Sequence, residues 1–433
     1  MRPRNLFAGV HLSGYSSEFS QQIEPLNKAA YFKLILVLGS LTALGPFSID
    51  MYLPGFSAIA KDLHTSVNQV ALSLSTYFIG ISAGQLLYGP LLDRYGRKKP
   101  LYLGLLLYIA ASVGCAVALD VKSLIVLRFI QAVGSCAAAV AAMAMVNDLF
   151  PIRERPKVFS LLLLVVGLSP LLAPTIGSYV IGSLGWHAIF LILTAMGVLV
   201  LLASWLGLPQ TRKPDPDISL KPRPIISNFL QILKTPQFYT YALSGSFAFS
   251  GLFTYVSGSP ILFMDIFKVS AEAYGWIFAI MSVSFIGTSQ LTSLLLKKFN
   301  SQQLVLFGIS LQVVLSTIIL VAAVCGWLGL YSTIALLFIY LGSLGLTNPN
   351  TSALALAPFT TNGGSAAALL GALQLGISAL ISMVVGFLFK DSIVPFAAIL
   401  LFGAFTGLVI LLAGRRNISS FAGADAGAGA VMH

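Results

Sequence analysis

Long apolar stretches separated by short polar loops recur along the whole chain. A bilayer core needs roughly 20 apolar residues per helix. About twelve runs meet that length, near residues 31–58, 68–92, 100–119, 123–147, 159–183, 187–208, 238–263, 273–296, 303–325, 330–350, 364–389 and 394–414. They lack the short alternating segments of a transmembrane barrel, so helices are the expected spanning structure. The longest polar interruption, PQTRKPDPDISLKPRPIISNFLQILKTP, is rich in proline and charge and falls between the sixth and seventh runs. It divides the chain into a tail over 1–30, a six-helix half over 31–208, a linker over 209–236, a second six-helix half over 237–414 and a tail over 415–433. A weak internal echo supports the division: SAGQLLYGPLLDRYGRKK around Gln85 and GTSQLTSLLLKKFNSQQ around Gln290 close the second helix of each half in the same manner. The pattern predicts an all-α membrane protein of two pseudo-symmetric six-helix halves.

Composition removes the soluble alternative. Of the 433 residues 57% are hydrophobic and 9% charged, too few charges for a solvated surface. The net charge of +11 invites a nucleic-acid reading until the basic residues are placed. Arg2, Arg4 and Lys28 precede the first run and Lys33 stands at its start, and Arg94, Arg97, Lys98 and Lys99 follow the second. Arg153, Arg155 and Lys157 follow the fourth, Arg212, Lys213, Lys221, Arg223 and Lys234 the sixth, Lys297 and Lys298 the eighth, and Arg415 and Arg416 the last. The other loops hold only Lys61, Lys122, Lys268 and Lys390. The charge is a topology signal that puts both ends in the cytosol, not a nucleic-acid footprint. The first 28 residues lack an apolar core followed by a small-residue cleavage site, so the first helix is expected to stay uncleaved.

Enzymatic and metal chemistry find no support. His11, His64, His187 and His433 are scattered outside or at the edges of the runs, and Cys115, Cys136 and Cys325 fall inside them, where a thiol packs as a small apolar group. No metal site, disulfide framework or cofactor is expected. No G-x-x-x-x-G-K-[ST] phosphate loop occurs, so the energy source is expected to be the proton gradient rather than ATP.

Ionisable groups inside spans cost roughly 3 kcal/mol or more each and are functional candidates. Of the fourteen acids Asp50 is the one deep in a run, in FSIDMYLP, and Arg128 is the one deep base. From the 1.5 Å rise per helical residue, Asp50 lies about 15 Å and Arg128 about 9 Å from the outer ends of their helices. The shared level leads to the expectation that they face one water-filled cavity, pair, and couple proton to substrate. Alternating solvation would let the carboxyl take up a proton on one side and release it on the other; it could equally bind a cationic substrate. The competing reading is that Asp50 marks an earlier helix end, helped by Pro54, and that Arg128 snorkels outward.

The stretch GPLLDRYGRKKP, with Gly89, Asp93, Arg94, Gly96 and Arg97, resembles the signature between the second and third helices of the major facilitator superfamily. IDMYLPGFSAIAKDL, RFIQAVGSCAAAVAAMAMVNDLF and ALALAPFTTNGGSAAALLGALQ are similar to the bicyclomycin-resistance (Bcr/CflA-type) drug:proton antiporters. The resemblance implies that Asp93 latches against the start of the eleventh helix, Asn362-Gly363-Gly364-Ser365, and that Arg128, Gln131 and Gly134 match the fourth-helix signature, with Ala132 replacing a glycine. The fifth-helix antiporter signature survives in part in SPLLAPTIGS: Pro174 and Gly177 remain, Ala173 and Ser178 replace glycines, and Pro170 is added. Its prolines and small residues allow close packing or a hinge.

Tyr52, Tyr77, Gln85, Gln131, Phe253, Tyr255, Asn348, Asn350 and Gln374 are the candidate lining of a permissive pocket. The expected function is export of small amphiphilic drugs in exchange for protons, by a monomer rocking about a site between its halves in a bacterial inner membrane. A proton-coupled carrier for one metabolite or siderophore, in either direction, is the alternative on the same fold.

Overall fold

The computed structural model describes residues 28–150, 155–211, 214–215, 222–359, 363–388, 392–415 and 418. Most of both expected tails, Asn362, and the linker positions Arg212, Lys213 and Lys221 lie outside the described residues.

Among the described residues every regular element is helical. The first half consists of α1 (Lys28–Asp50), a short α2 (Phe56–Asp62), α3 (Val67–Tyr95), α4 (Lys98–Ala116), α5 (Val121–Leu149), α6 (Arg155–Leu184) and α7 (His187–Gly207). A helix α8 (Pro222–Leu233) occupies the linker. The second half follows as α9 (Pro236–Pro260), α10 (Ala271–Leu295), α11 (Ser301–Val324), α12 (Leu330–Leu356), α13 (Gly363–Leu388) and α14 (Val394–Gly414). Twelve spans among the described residues are long and apolar enough to cross a membrane, in agreement with the twelve runs. Several begin at capping side chains: Ser66 accepts from Gln69 N, Ser270 from Ala273 N, and Asn300 and Gln303 form a reciprocal box. Cys325 was expected inside a span; it caps the end of α11 and is exposed.

The first span is not one continuous helix. Its α-helical part ends at Asp50, a 3₁₀ turn covers Leu53–Gly55, and α2 resumes the direction. Pro54 has no N–H to donate and sits at the start of that turn, where the missing donor costs little. Gly177 of α6 packs onto the carbonyl of Met51 in the break, where an added Cβ would overlap it. Pro170 and Pro174 lie in the interior of the same helix.

The two halves repeat one packing scheme. In the first, α1 packs on α5, α6 and α7, α5 also takes α3 and α4, and α4 takes α7. In the second, α9 packs on α12, α13 and α14, α12 also takes α10 and α11, and α11 takes α14. Between halves the principal contacts are α3 with α13 and α6 with α10, a pair that exchanges onto itself when the halves are swapped. Small residues permit the closest approaches: a Cβ on Gly134 of α5 would strike the backbone of Gly104 and Tyr108, and one on Gly345 of α12 the carbonyl of Phe285. The linker helix rests on α9 and α13, with Ile232 buried in a cluster that includes Phe238, Ala366 and Leu369.

Candidate functional site

The start of α5 places Arg128. Asp120 caps the helix, accepting from the Ser123 amide (2.9 Å) and hydroxyl (2.6 Å), and these bonds hold its exposed carboxyl below the usual range. Two turns on, Arg128 points into the first half and is fully buried, which overturns the snorkelling reading. Its Nη1 donates to Gln131 Oε1 at 2.6 Å, one helical turn away, and Gln131 Nε2 donates to Ser112 Oγ on α4 at 2.7 Å. The guanidinium carbon lies 4.2 Å from the Tyr77 ring centre, 4.6 Å from Tyr52 and 5.8 Å from Phe190. A desolvated cation–π contact contributes about 2 kcal/mol, so the cage offsets part of the cost of burying the charge. Hydroxyls fix the cage in turn: Tyr52 bonds Ser73 (2.8 Å), Tyr77 bonds Ser135 (2.9 Å), and Tyr108 bonds Ser48 (2.8 Å). Nε and Nη2 of Arg128 have no hydrogen-bond partner among the described residues.

Asp50 ends α1 and is 5% exposed. It forms no ion pair among the described residues, and Arg128 engages Gln131 and the ring cage instead. The expected Asp50–Arg128 pair is therefore absent from this structure, although the two share a level, since Tyr52 follows Asp50 by two residues and packs on the guanidinium. The reading of Asp50 as a helix end is correct for the backbone, yet the side chain stays inside. Ser169 of α6 stands beside the carboxyl, and Tyr255 of α9 and Tyr274 of α10 lie within its electrostatic reach. The acid thus sits at the seam between halves, while the base is enclosed in one of them.

The signature loop forms a compact ion cluster. Arg97 Nη1 meets Asp93 Oδ1 at 2.7 Å, and its Nε and Nη2 reach both oxygens of Asp148, at the end of α5, at 2.8 and 3.3 Å. Gly96 adopts φ +77°, a left-handed conformation that lets the chain turn directly into α4. Arg94 carries the chain next to the linker, its carbonyl accepting from Asp215 N at 3.0 Å. Of the expected latch partners, Gly364 and Ser365 face Asp93 across a cavity; Asn362 is outside the described residues.

That cavity, about 950 Å³, lies between the halves at the end bearing the basic loops. One wall is built from Gln85, Gly89 and Asp93 of α3 and from Ala139 and Met143 of α5, and the other from Ser365, Ala368 and Gly371 of α13 with Asn228 and Phe229 of α8. At the opposite end the halves meet: Ser57 Oγ donates to Asp265 Oδ1 at 3.1 Å, Thr175 of α6 packs on Gly275 of α10, and the Leu53–Gly55 turn touches α6, α9 and α10.

Of the nine candidate lining residues, Gln85 alone lines this cavity. Tyr52, Tyr77 and Gln131 are absorbed into the Arg128 cage, because aromatic and amide groups are what can satisfy a buried guanidinium. Phe253 packs edge-on against Phe78 across the seam, and Tyr255 stacks on Phe278. Asn350 bonds the Leu346 carbonyl within α12, while Gln374 of α13 bonds Asn348 and Ser352 of α12. Sequence reasoning passed over Asp148, Asp265 and the α8 pair Asn228 and Phe229. An acid at the basic end of the fourth run, among arginines, was the available signal for Asp148; the linker pair gave none.

A family model described as Major Facilitator Superfamily matches residues 38–383, and the chain belongs to that family. It is a multi-pass membrane transporter, not an enzyme. The chain is 33% identical over 86% of its length to an uncharacterized MFS-type transporter, YdgK, of Bacillus subtilis, covering 93% of that protein. It is 31% identical over 84% of its length to a bicyclomycin resistance protein homolog of Haemophilus influenzae, covering 91% of it. It is 30% identical over 85% of its length to the multidrug resistance protein MdtL of Klebsiella pneumoniae, covering 95% of it. Among solved structures, a D-xylose-proton symporter superposes with a TM-score of 0.70 at 15% identity, over 90% of this chain and 98% of that one, a likeness of fold.

Proposed function

We propose that the chain exports small amphiphilic compounds in exchange for protons across a bacterial inner membrane, by alternating access. The observation that carries the reading is Asp50: a buried carboxyl with no ion pair among the described residues, at the seam the two halves share. A carboxylate without a counter-ion is expensive to seal away from water. The seam closes at low cost once Asp50 has taken a proton, and reopening to water releases it. Relatives named for bicyclomycin and multidrug resistance support an amphiphilic cargo, as do the apolar cavity walls.

Arg128 holds the first half rigid around Asp50 and biases its surroundings electrostatically; the Asp93–Arg97–Asp148 cluster ties the ends of α3, α4 and α5 together within that half, and its face toward Gly364 and Ser365 of α13 meets or leaves them as the halves rock. The proton gradient is the energy source, no cofactor takes part, both chain ends face the cytosol, and the molecule works as a monomer. Proteoliposomes with an imposed pH gradient and ethidium as cargo test this. Wild-type protein moves ethidium opposite to the proton flow, and Asp50→Asn loses the gradient-driven movement while retaining ethidium exchange. Co-directional accumulation, or an Asp50→Asn variant as gradient-sensitive as wild type, refutes the proposal and favours a metabolite carrier of the other mode.

A further inference from the structure

The linker helix α8 stands in a place a mere tether would not occupy. Ile232 anchors it in the core of the second half, so its position is fixed by packing rather than by its flanking chain. The turn before the anchor then delivers Asn228 and Phe229 to the wall of the 950 Å³ cavity. Opposite them stands Gln85 of α3, whose Oε1 is buried without a hydrogen-bond partner and abuts Gly371 of α13, a position where any side chain would displace it.

Buried acceptors are normally satisfied. An orphan acceptor sealed at the wall of a cavity of ligand size gives up no hydrogen bond by turning into it, and with an aromatic ring and an amide opposite it makes a recognition arrangement. We propose that α8 completes a vestibular binding site in which Phe229 covers the apolar body of an amphiphile, Asn228 contacts its polar edge, and Gln85 turns its sealed Oε1 from Gly371 into the cavity to accept from an N–H or O–H of the ligand. The inference rests on the amphiphilic-cargo reading above. It adds that the linker, not only the bundle, selects the cargo. It does not need proton coupling, because the site is occupied at equilibrium.

The test uses the full chain in detergent or nanodiscs without a gradient, with rhodamine 6G, an amphiphilic dye bearing N–H donors, followed by fluorescence anisotropy. Phe229→Ala weakens binding about tenfold, as expected for losing an aromatic wall. Gln85→Leu weakens it about threefold to tenfold through the lost acceptor. Ser227→Ala, on the exposed side of α8, leaves it within about twofold. Independently of affinity, a Cys placed by Asn228→Cys in a Cys325→Ser background is protected from maleimide by rhodamine 6G. Wild-type binding with unchanged affinity in Phe229→Ala and an unprotected Cys overturns this inference alone and leaves the transport reading standing. Absence of rhodamine 6G binding by wild-type protein also overturns this inference, and ethidium movement in proteoliposomes decides the transport reading separately.

Discussion

The two halves share a packing scheme and almost none of their buried chemistry. In the first half the α4–α5 contact carries the chain Arg128–Gln131–Ser112, enclosed by Tyr52, Tyr77 and Phe190. The matching α11–α12 contact of the second half carries Gln312, whose Nε2 donates to Thr347 Oγ1 at 3.1 Å, with no charge. The helix α9, which corresponds to α1, buries Thr240, Ser244, Ser246, Ser250, Thr254, Ser257 and Ser259 and no charge, where α1 buries Thr42, Ser48 and Asp50. A duplicated scaffold therefore does not imply a duplicated mechanism. Helix geometry is set by small residues and apolar volume, and both halves retain those; the buried charge and its cage are added to that shared frame in the first half alone.

The comparison breaks most readily at Arg128. Arg128→Met is expected to abolish transport and to lower stability by about 3 kcal/mol, since it orphans Gln131 and empties the ring cage. Gln312→Met at the matching contact is expected to cost about 1 kcal/mol and to leave transport within a few-fold. Thermal unfolding in detergent, beside transport in liposomes, checks both; equal penalties would mean the halves are not chemically asymmetric. Asp50→Asn should remove gradient-driven transport yet leave the unfolding temperature unchanged or raised, because a desolvated carboxyl is replaced by a neutral amide. A fall of several degrees would instead make Asp50 a structural residue.

Smaller effects probe what the halves have in common. Gly104 faces Ala137 and Gly134 across α4–α5, and Gly308 faces Thr347 and Ser343 across α11–α12. Alanine at either should cost a similar ~1–3 kcal/mol by overpacking, and a marked inequality in unfolding midpoints would show that the two scaffolds are not equivalent. The smallest effect is expected at the inter-half bond: Ser57→Ala removes the donor to Asp265 and should change stability by about 0.5–1.5 kcal/mol. Its signature is an increased rate of alkylation at a Cys introduced beside it, from more frequent opening of that end.

The fold was largely legible because a bilayer forces span length into composition: each of the twelve runs became a helix in the described residues. The levels of Asp50 and Arg128 were legible for the same reason, as helical rise converts sequence position into depth. Their failure to pair was not. Depth says nothing about azimuth, and Arg128 turns toward Tyr77 and Gln131 inside its own half rather than toward the seam. The lining residues misled similarly, since Tyr52 and Tyr77 are the residue type a pocket uses and also the type a buried guanidinium needs. The break after Asp50 was hinted at by Pro54 and fixed by Gly177 more than a hundred residues away, a contact no local pattern contains.

The exchange of the two inter-half contacts under the halves' pseudo-symmetry has an evolutionary corollary. Two surfaces that swap onto themselves form an isologous interface, the kind that holds a homodimer together. In such a dimer every substitution at the seam appears twice, so weakening one end weakens its mate. Once the copies are joined in a single chain, that constraint is gone: the α3–α13 seam, with Ser75 bonded to Ser382 at 3.1 Å, and the α6–α10 seam, with Thr175 against Gly275, are free to be tuned one at a time. A single chain carrying both halves thus has independent control of two pseudo-equivalent joints.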